Sequence, residues 1–145
     1  MLKLKSLAML TIATALLASC AGTAAAPAAP VAVVAGGTVN ATLTDMKIAV
    51  DKTSISAGTV KFVVKNSGAV LHELVVVKTD VAQDKLVAGD EAGKVDETGN
   101  VAETGDVIAG GSNTFSVLLP AGHYVLICNE VGHYMSGMHM PFTVN

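Results

Sequence analysis

The sequence from Leu119 to Met138, LPAGHYVLICNEVGHYMSGM, contains a turn, a strand and a loop in that order. Pro-Ala-Gly near its start is a turn signal, and the run from Tyr124 to Cys128 is rich in β-prone side chains. In the loop that follows, Cys128, His133 and Met138 are separated by four residues each. A loop at the end of a sheet can therefore bring a thiolate, an imidazole and a thioether to one point.

Segments of alternating apolar and polar residues around this stretch predict an all-β domain. The alternation has the period of two that is typical of a strand half-buried in a sheet. It is clearest in 39–43, 60–64 and 113–119, and the β-prone runs 71–77 and 142–145 add further strands. Several short strands joined by turns favour a β-sandwich formed by a single domain.

Three segments depart from this simple alternation. The apolar phase shifts by one residue after Leu43, which predicts a β-bulge near Thr44 and Asp45. Residues 81–88 could form one short helix. Residues 79–111 hold eight of the twelve acids and many glycines, so we expect a long surface segment between strands, called the acidic excursion below.

The N-terminus has the pattern of an export signal. Residues 1–19 contain two lysines, an apolar run and then small residues. Leu17-Ala18-Ser19-Cys20 resembles the lipobox of bacterial lipoproteins, which implies that Cys20 carries lipid as the first residue of the mature chain. Residues 20–37 are rich in Ala, Pro and Gly and are predicted to be a linker, and the folded domain is predicted to be 38–145.

Charge and cysteine content restrict the possible partners. The sequence has a formal net charge of −3, and removal of residues 1–19 leaves seven lysines, no arginine and a charge of −5. Nucleic acid is therefore excluded as a partner, because its binding requires a basic surface. If Cys20 carries lipid, Cys128 has no cysteine left for an internal disulfide, and metal ligation would explain its presence.

The loop side chains favour copper over other metals. Two imidazoles, one thiolate and one weakly bound thioether form the donor set of blue-copper sites. Zinc does not usually take a thioether, haem attachment would need C-x-x-C-H, and an iron–sulfur cluster would need more cysteines. The second imidazole is predicted to be that of His72, which shares a strand face with Leu74 and Val76. One copper ion is thus predicted on His72, Cys128, His133 and Met138.

Simpler interpretations of these residues stay open. Cys128 could be a buried structural thiol, His133 an exposed loop residue and Met138 a core residue. His72 could be a hydrogen-bonded histidine of the interior. The same part of the chain also offers spare donors, namely Met135, His139 and Met140.

The C-x4-H-x4-M loop, with a histidine after Asn66-Ser67-Gly68, resembles the cupredoxin family. Gly132-His133-Tyr134 and Gly137-Met138 resemble its rusticyanin and sulfocyanin branch more than plastocyanin. The resemblance covers the whole mature domain. It implies a Greek-key β-sandwich, a type 1 copper site and one-electron transfer.

The resemblance also assigns roles to individual residues. It implies that His72, Cys128 and His133 form a trigonal plane around the copper and that Met138 is the axial ligand. It further implies a hydrogen bond from the backbone N–H of Glu73 to the Cys128 sulfur, a kind of bond that tunes the potential. Related proteins often have Asn where this chain has Glu73, so an unusual feature of the site is expected there.

The expected function is that of an electron carrier. The chain would be a lipid-anchored monomer on the periplasmic or extracytoplasmic side of the cell envelope, passing single electrons between partners such as c-type cytochromes or membrane oxidoreductases. The alternatives are copper delivery or resistance, which the spare donors suggest, and a metal-free interaction domain. An enzyme is not expected, because no copper position would be open to a substrate. The acidic excursion either steers a basic partner or is a solvated loop, which we favour.

Overall fold

The computed structural model describes residues 36–145, which form two β-sheets. The predicted signal peptide, the lipid-bearing Cys20 and almost all of the predicted linker lie outside the described residues. The strands are β1 (Gly37–Thr44), β2 (Lys47–Val50), β3 (Ser54–Ile55), β4 (Gly58–Asn66), β5 (Val75–Lys78), β6 (Asn100–Glu103), β7 (Ser112–Leu119), β8 (Gly122–Ile127) and β9 (His139–Val144).

The first sheet has the strand order β2-β1-β4-β7 and the second has the order β3-β9-β8-β5-β6. Pairing is antiparallel except between β1 and β4 and between β3 and β9, which are parallel. This arrangement confirms the all-β class and the Greek-key sandwich that the sequence predicts. Residues 36–145 include no helix that is long and apolar enough to span a membrane.

Alternating side chains of the two sheets form the core between them. Phe62 on β4 is fully buried and meets Phe115 of β7 and Phe142 of β9, with ring centroids 5.1 and 5.8 Å apart. The predicted alternation of apolar Val60, Phe62 and Val64 with exposed lysines on β4 is confirmed. Burial of such apolar surface is the main force that holds the two sheets together.

The predicted β-bulge near Thr44 and Asp45 is wrong, because the chain reverses there instead. Thr44 pairs with Lys47, so Asp45 and Met46 form the two-residue turn of a β1–β2 hairpin, and Met46 has a φ of 62°. Leu43 pairs with Ile48 across the hairpin and points to the same side. A two-residue turn shifts the apolar phase by one residue just as a bulge does, so the sequence pattern is ambiguous.

The acidic excursion is more ordered than expected for a solvated loop. It contains β6, which pairs with β5 at the edge of the second sheet, and it buries Val95 and Val107. The suggested helix at 81–88 is absent, since those residues form bends and turns. The expected strand at 71–77 begins later, at Val75, because the preceding segment makes only a single bridge to the excursion.

Candidate metal centre

Three segments bring the predicted ligands to one end of the sandwich. His72 lies in the segment before β5, Cys128 directly follows β8, and His133 and Met138 lie in the loop that connects β8 to β9. Residues 128–138 are called the ligand loop below. Strand β8 is held between β5 and β9 in the second sheet, so the position of Cys128 is fixed by the centre of that sheet.

A buried asparagine organises the segment that carries His72. The side-chain amide of Asn66 donates to the carbonyls of Val70 and Val107, both at 2.8 Å, and its Oδ1 accepts the N–H of Gly68 at 2.9 Å. The backbone of His72 then donates to the Val107 carbonyl at 3.2 Å and accepts the Val107 N–H at 2.7 Å. These bonds satisfy the buried polar groups of the turn and fix the His72 backbone.

The ligand loop is closed by its own backbone. The N–H of Cys128 donates to the carbonyl of Met138, and the N–H of Met138 donates to the carbonyl of His133, each at 3.0 Å. Gly132 and Gly137 have φ values of 81° and 102°, a left-handed conformation that glycine adopts without strain. The spacing of four residues thus suits turns that return Met138 to the side of Cys128.

The donor atoms of three predicted ligands converge. Nδ1 of His72 lies 3.1 Å from Nδ1 of His133, and the Cys128 Sγ lies 3.4 Å from the His133 Nδ1 and 3.8 Å from the His72 Nδ1. His72 and Cys128 are fully buried. Met138 is also fully buried and belongs to the same apolar cluster as Cys128.

These three atoms fit a single metal ion. Nitrogen and sulfur donors about 2.0–2.3 Å from a common centre in a trigonal plane lie about 3.5–4 Å apart, close to the observed 3.1–3.8 Å. Burial, followed by the neighbouring His72, lowers the pKa of His133 and favours its neutral, ligating form. The two Nδ1 atoms face each other, so a cation between them and the Cys128 Sγ could be bound by all three.

The second ring nitrogen of His72 has a partner that orients it. Nε2 of His72 lies 3.2 Å from Oδ1 of Asp45 in the β1–β2 turn. Asp45 also accepts the N–H of Ala69 at 2.9 Å, and this bond, with a smaller effect from His72, holds the pKa of Asp45 below its usual value. An ionised carboxylate at Nε2 keeps the proton there and leaves the Nδ1 lone pair free for a metal.

The Cys128 sulfur accepts the hydrogen bond that the resemblance implies. The backbone N–H of Glu73 donates to the Cys128 Sγ at 3.4 Å, which confirms that prediction. Burial raises the pKa of the Cys128 thiol, while the backbone N–H groups of Glu73 and Glu130 act in the opposite direction. The thiol therefore stays protonated in the metal-free protein, and metal binding must displace its proton.

The carboxyl group of Glu73 does not belong to the group of three converging donors. Its Oε1 accepts the backbone N–H of Asn129 at 3.1 Å. Burial, and then the charges of Glu97, Glu130 and Glu103, raise the pKa of Glu73 to about 7. Glu73 thus connects the His72 segment to the ligand loop through hydrogen bonds at both its backbone and its side chain.

The spare donors occupy different environments. Met135 is 71% exposed, whereas Met140 is partly buried and packs against the core. The ring of His139 lies 4.9 Å from that of Tyr134, and its buried Nδ1 has no hydrogen-bond partner among the described residues. His139 does not belong to the cluster of His72, Cys128 and His133 donors.

Most of the chain matches a known family. Residues 22–145 match the sequence model of the sulfocyanin (SoxE) domain. The chain belongs to the sulfocyanin family of cupredoxins. This confirms the resemblance drawn from the ligand loop. No curated protein matches the sulfocyanin chain.

Solved cupredoxin structures share the sulfocyanin fold. Auracyanin from Roseiflexus castenholzii is 25% identical with a TM-score of 0.57, over 77% of this chain and 98% of that chain. Auracyanin A, a "blue" copper protein from Chloroflexus aurantiacus, is 27% identical with a TM-score of 0.52, over 75% of this chain and 100% of that chain. Rusticyanin from Thiobacillus ferrooxidans is 19% identical with a TM-score of 0.61, over 77% and 79% of the two chains, and shows the fold alone.

The cofactor of the chain is one copper ion, because the family fold and the donor set agree. His72, Cys128 and His133 supply two imidazoles and a thiolate within bonding reach of one point. Met138 adds a buried thioether beside them. That combination is typical of blue copper.

Sequence reasoning missed two residues that support the centre. Asp45 orients His72 although it lies in a turn 27 residues earlier. Asn129 is 2% exposed and pairs with the backbone of Val95, accepting its N–H at 2.9 Å and donating to its carbonyl at 3.0 Å. In the sequence, the position of Asn129 directly after Cys128 was the one feature that could have indicated its supporting role.

Proposed function

We propose that this protein is a single-electron carrier of the cell envelope that holds its copper on His72, Cys128, His133 and Met138. The observation that supports the proposal most is the convergence of two Nδ1 atoms and one Sγ within 3.8 Å. When bound, copper in this donor set supplies reversible one-electron chemistry. Auracyanin A, which shares the fold, is a blue copper protein.

The protein holds its donors in nearly fixed positions. Backbone bonds close the ligand loop, Asn66 fixes the His72 segment, and the Glu73 carboxyl group connects the two by accepting the Asn129 N–H. Donors that are held in place by the hydrogen bonds of surrounding residues keep the same geometry in both oxidation states of the copper. Little rearrangement then accompanies each electron, which suits a carrier.

His133 is the ligand suited to pass the electron to a partner. His72, Cys128 and Met138 are fully buried, whereas His133 reaches the surface. Exposed apolar side chains neighbour it in the ligand loop, with Val131 57% and Met135 71% exposed. A redox protein such as a c-type cytochrome or a membrane oxidoreductase can approach the His133 edge closely there.

The proposed anchor enters the domain far from the copper. Strand β1 runs from Gly37 to Thr44, and the next residue, Asp45, contacts His72. Eight strand residues span about 26 Å, so the N-terminal segment joins the end opposite the ligand loop. A lipid on Cys20 and a linker of roughly 20–25 Å would hold the carrier at the membrane and leave its copper end accessible.

Copper delivery is the second candidate, and the exposed Met135 is the observation in its favour. Full burial of three of the four donors favours retention of the metal instead. The discriminating experiment loads the full chain with one copper, cycles it with a chemical reductant and oxidant, and adds a Cu(I) chelator while the copper is reduced.

A carrier keeps its copper through repeated cycles in the presence of the chelator. Loss of the metal at the first reduction would contradict the electron-carrier proposal and favour delivery. Met135→Leu is the control variant, because an exposed delivery ligand would be needed for transfer to the chelator. Retention is expected to be the same in that variant and in the parent.

A further inference from the structure

The first sheet carries its charges in an unusual way. None of the residues in β1, β2, β4 and β7 is an Asp or a Glu. Three of them are lysines, namely Lys47, Lys61 and Lys65. In a domain with many more acids than bases, one sheet without a single carboxylate calls for an explanation.

The strand register places these lysines on one surface. Lys61 pairs with Thr38 and Ser116, and Lys65 pairs with Thr42 and Ser112, so these side chains point to the same side of the sheet. Lys47 points to that side as well, because it pairs with Thr44 of β1. The lysine face is defined here as the outward side chains of the four strands: Thr38, Asn40, Thr42, Thr44, Lys47, Ala49, Thr59, Lys61, Val63, Lys65, Ser112, Thr114, Ser116 and Leu118.

The positive charge of this face is not neutralised locally. Lys47, Lys61 and Lys65 are exposed, and none of them forms an ion pair with a described residue, although the Lys65 ammonium donates to the Gly110 carbonyl. Two carboxylates lie at the border of the face. That of Asp51 already bonds Asn40 and pairs with Lys52 at 3.0 Å, and that of Asp45 lies 3.2 Å from the His72 Nε2.

The rest of the domain is strongly acidic. Apart from Asp45 and Asp51, every Asp and Glu of the sequence lies in the acidic excursion, in the ligand loop or beside His72. The chain is therefore bipolar, with the positive pole on the first sheet. A negatively charged surface would attract the lysine face and repel the acidic part, so it would orient the domain.

The position of the N-terminus indicates which negative surface this is. The 35 residues before the described region include Cys20, and they lead directly into β1, in the interior of the first sheet. Anionic lipid headgroups attract basic residues within about 10 Å, the screening distance at moderate salt. Leu118, which is 59% exposed on the same face, adds apolar contact.

We propose that the lysine face lies against the anionic headgroups of the membrane that holds the N-terminus. This inference rests on the lipid anchor of the proposed function. When the lysine face lies on the membrane, the strands of the first sheet run parallel to the membrane surface. The ligand loop at the end of the sandwich then points along the membrane plane. Electrons would then pass to partners located beside the protein in the same membrane.

The test compares lysine reactivity on two kinds of vesicle. The full chain is reconstituted into vesicles of phosphatidylcholine alone or of equimolar phosphatidylcholine and phosphatidylglycerol, labelled with an amine acetylating reagent, and read residue by residue by mass spectrometry. Lys47, Lys61 and Lys65 should react several-fold more slowly on the anionic vesicles, and high salt should remove the difference. Reaction of Lys78, Lys85 and Lys94, which lie away from the face, should be the same on both vesicles.

Two matched triple variants distinguish the effect of the lysine face from the effect of the net charge. Replacing Lys47, Lys61 and Lys65 together by Gln should abolish the effect of phosphatidylglycerol on orientation, measured by the accessibility of Met135 to oxidation. Replacing Lys78, Lys85 and Lys94 by Gln makes the same charge change away from the face and should leave that effect intact. Equal behaviour of the two triple variants would overturn the proposal.

Different outcomes contradict the proposed lipid anchor and the proposed contact of the lysine face. Retention on neutral vesicles reports the anchor alone, because it needs no lysine. A chain retained on both vesicles but labelled equally overturns the lysine face and leaves the anchor standing. Protection that appears only in native membranes and not in protein-free anionic vesicles would assign the face to a protein partner and also overturn the proposal. A chain lost from neutral vesicles overturns the anchor and this inference with it.

Discussion

Asp45 is the residue on which the orientation of His72 depends. Its Oδ1 lies 3.2 Å from the His72 Nε2, and no other side chain among the described residues bonds that nitrogen. A carboxylate in this position fixes the ring and its tautomer and makes the opposite nitrogen a better donor. The turn that carries Asp45 therefore contributes to metal binding without contacting the metal.

We expect Asp45→Ala to weaken copper binding by about 10–100-fold, the usual effect of losing such an outer partner. Asp51→Ala is the matched control, because Asp51 also accepts a backbone N–H in the first sheet but does not touch a predicted ligand. Competition with a chelator of known affinity measures both variants. Equal affinities would mean that Asp45 does not orient His72.

Met138 is expected to tune the centre rather than to hold it. In Met138→Leu a weak donor to the oxidised copper is lost, so the reduction potential should rise while the colour persists. Met140→Leu is the control, since Met140 packs against the core on β9. Protein voltammetry reports both potentials. A larger shift of the reduction potential in Met140→Leu than in Met138→Leu would contradict the assignment of Met138 as the axial ligand.

The sequence predicted the donors but not their supports, and the reason is physical. Donor types and the spacing of the ligand loop are local features, so Cys128, His133 and Met138 can be selected from one stretch. Asp45 reaches His72 only because the β1–β2 hairpin folds back beside it, and no local pattern records that contact. The prediction of His72 rested on one strand face and, mostly, on the family resemblance.

At the scale of elements, the acidic excursion is attached to the ligand loop at several points. The Tyr134 hydroxyl donates to the carbonyl of Gln83 at 2.8 Å and accepts the N–H of Leu86 at 3.0 Å. The N–H of Gly132 donates to the carbonyl of Gly93 at 2.8 Å. Because of these bonds the excursion stiffens the loop that carries His133 and Met138.

Tyr134→Phe should release this attachment while keeping the ring packed. The Leu86 amide would lose its partner, so its hydrogen exchange should become markedly faster. Tyr124→Phe is the control, because its hydroxyl donates to the Pro120 carbonyl at another part of the domain. Unchanged exchange at Leu86 in Tyr134→Phe would show that the excursion is held by other contacts.

Element prediction succeeded where one face is buried and failed where two structures share a pattern. Strong alternation predicted β1, β4 and β7 because inward side chains must be apolar, whereas β8 was predicted from its run of β-prone residues. A hairpin turn and a bulge shift that alternation equally, so β2 was missed as a separate strand. Strand β6 lies at a sheet edge and is mostly exposed, so no apolar pattern marks it.

At the scale of the whole molecule, Phe62 of the first sheet packs against Phe142 of the second sheet in the core between them. Phe62 is fully buried and contacts both Phe115 and Phe142. Truncation of a buried phenylalanine leaves a cavity and costs about 3–5 kcal/mol. We expect a loss of that size in Phe62→Ala, measured as the free energy of unfolding in denaturant.

Val63→Ala is the control for this prediction. Val63 follows Phe62 on β4 but points to the outer side of the sheet and is only partly buried, so its truncation should cost clearly less. Similar losses in the two variants would contradict the assignment of the core to the space between the sheets.

The central claim is that Cys128 and two histidines hold a type 1 copper ion, and the visible absorption spectrum of the Cu(II)-loaded full chain tests it most directly. An intense thiolate-to-copper band is expected, lost in Cys128→Ser and retained in Cys20→Ser, which alters the other cysteine of the chain. A colourless copper complex, or a band that survives Cys128→Ser, would contradict the account.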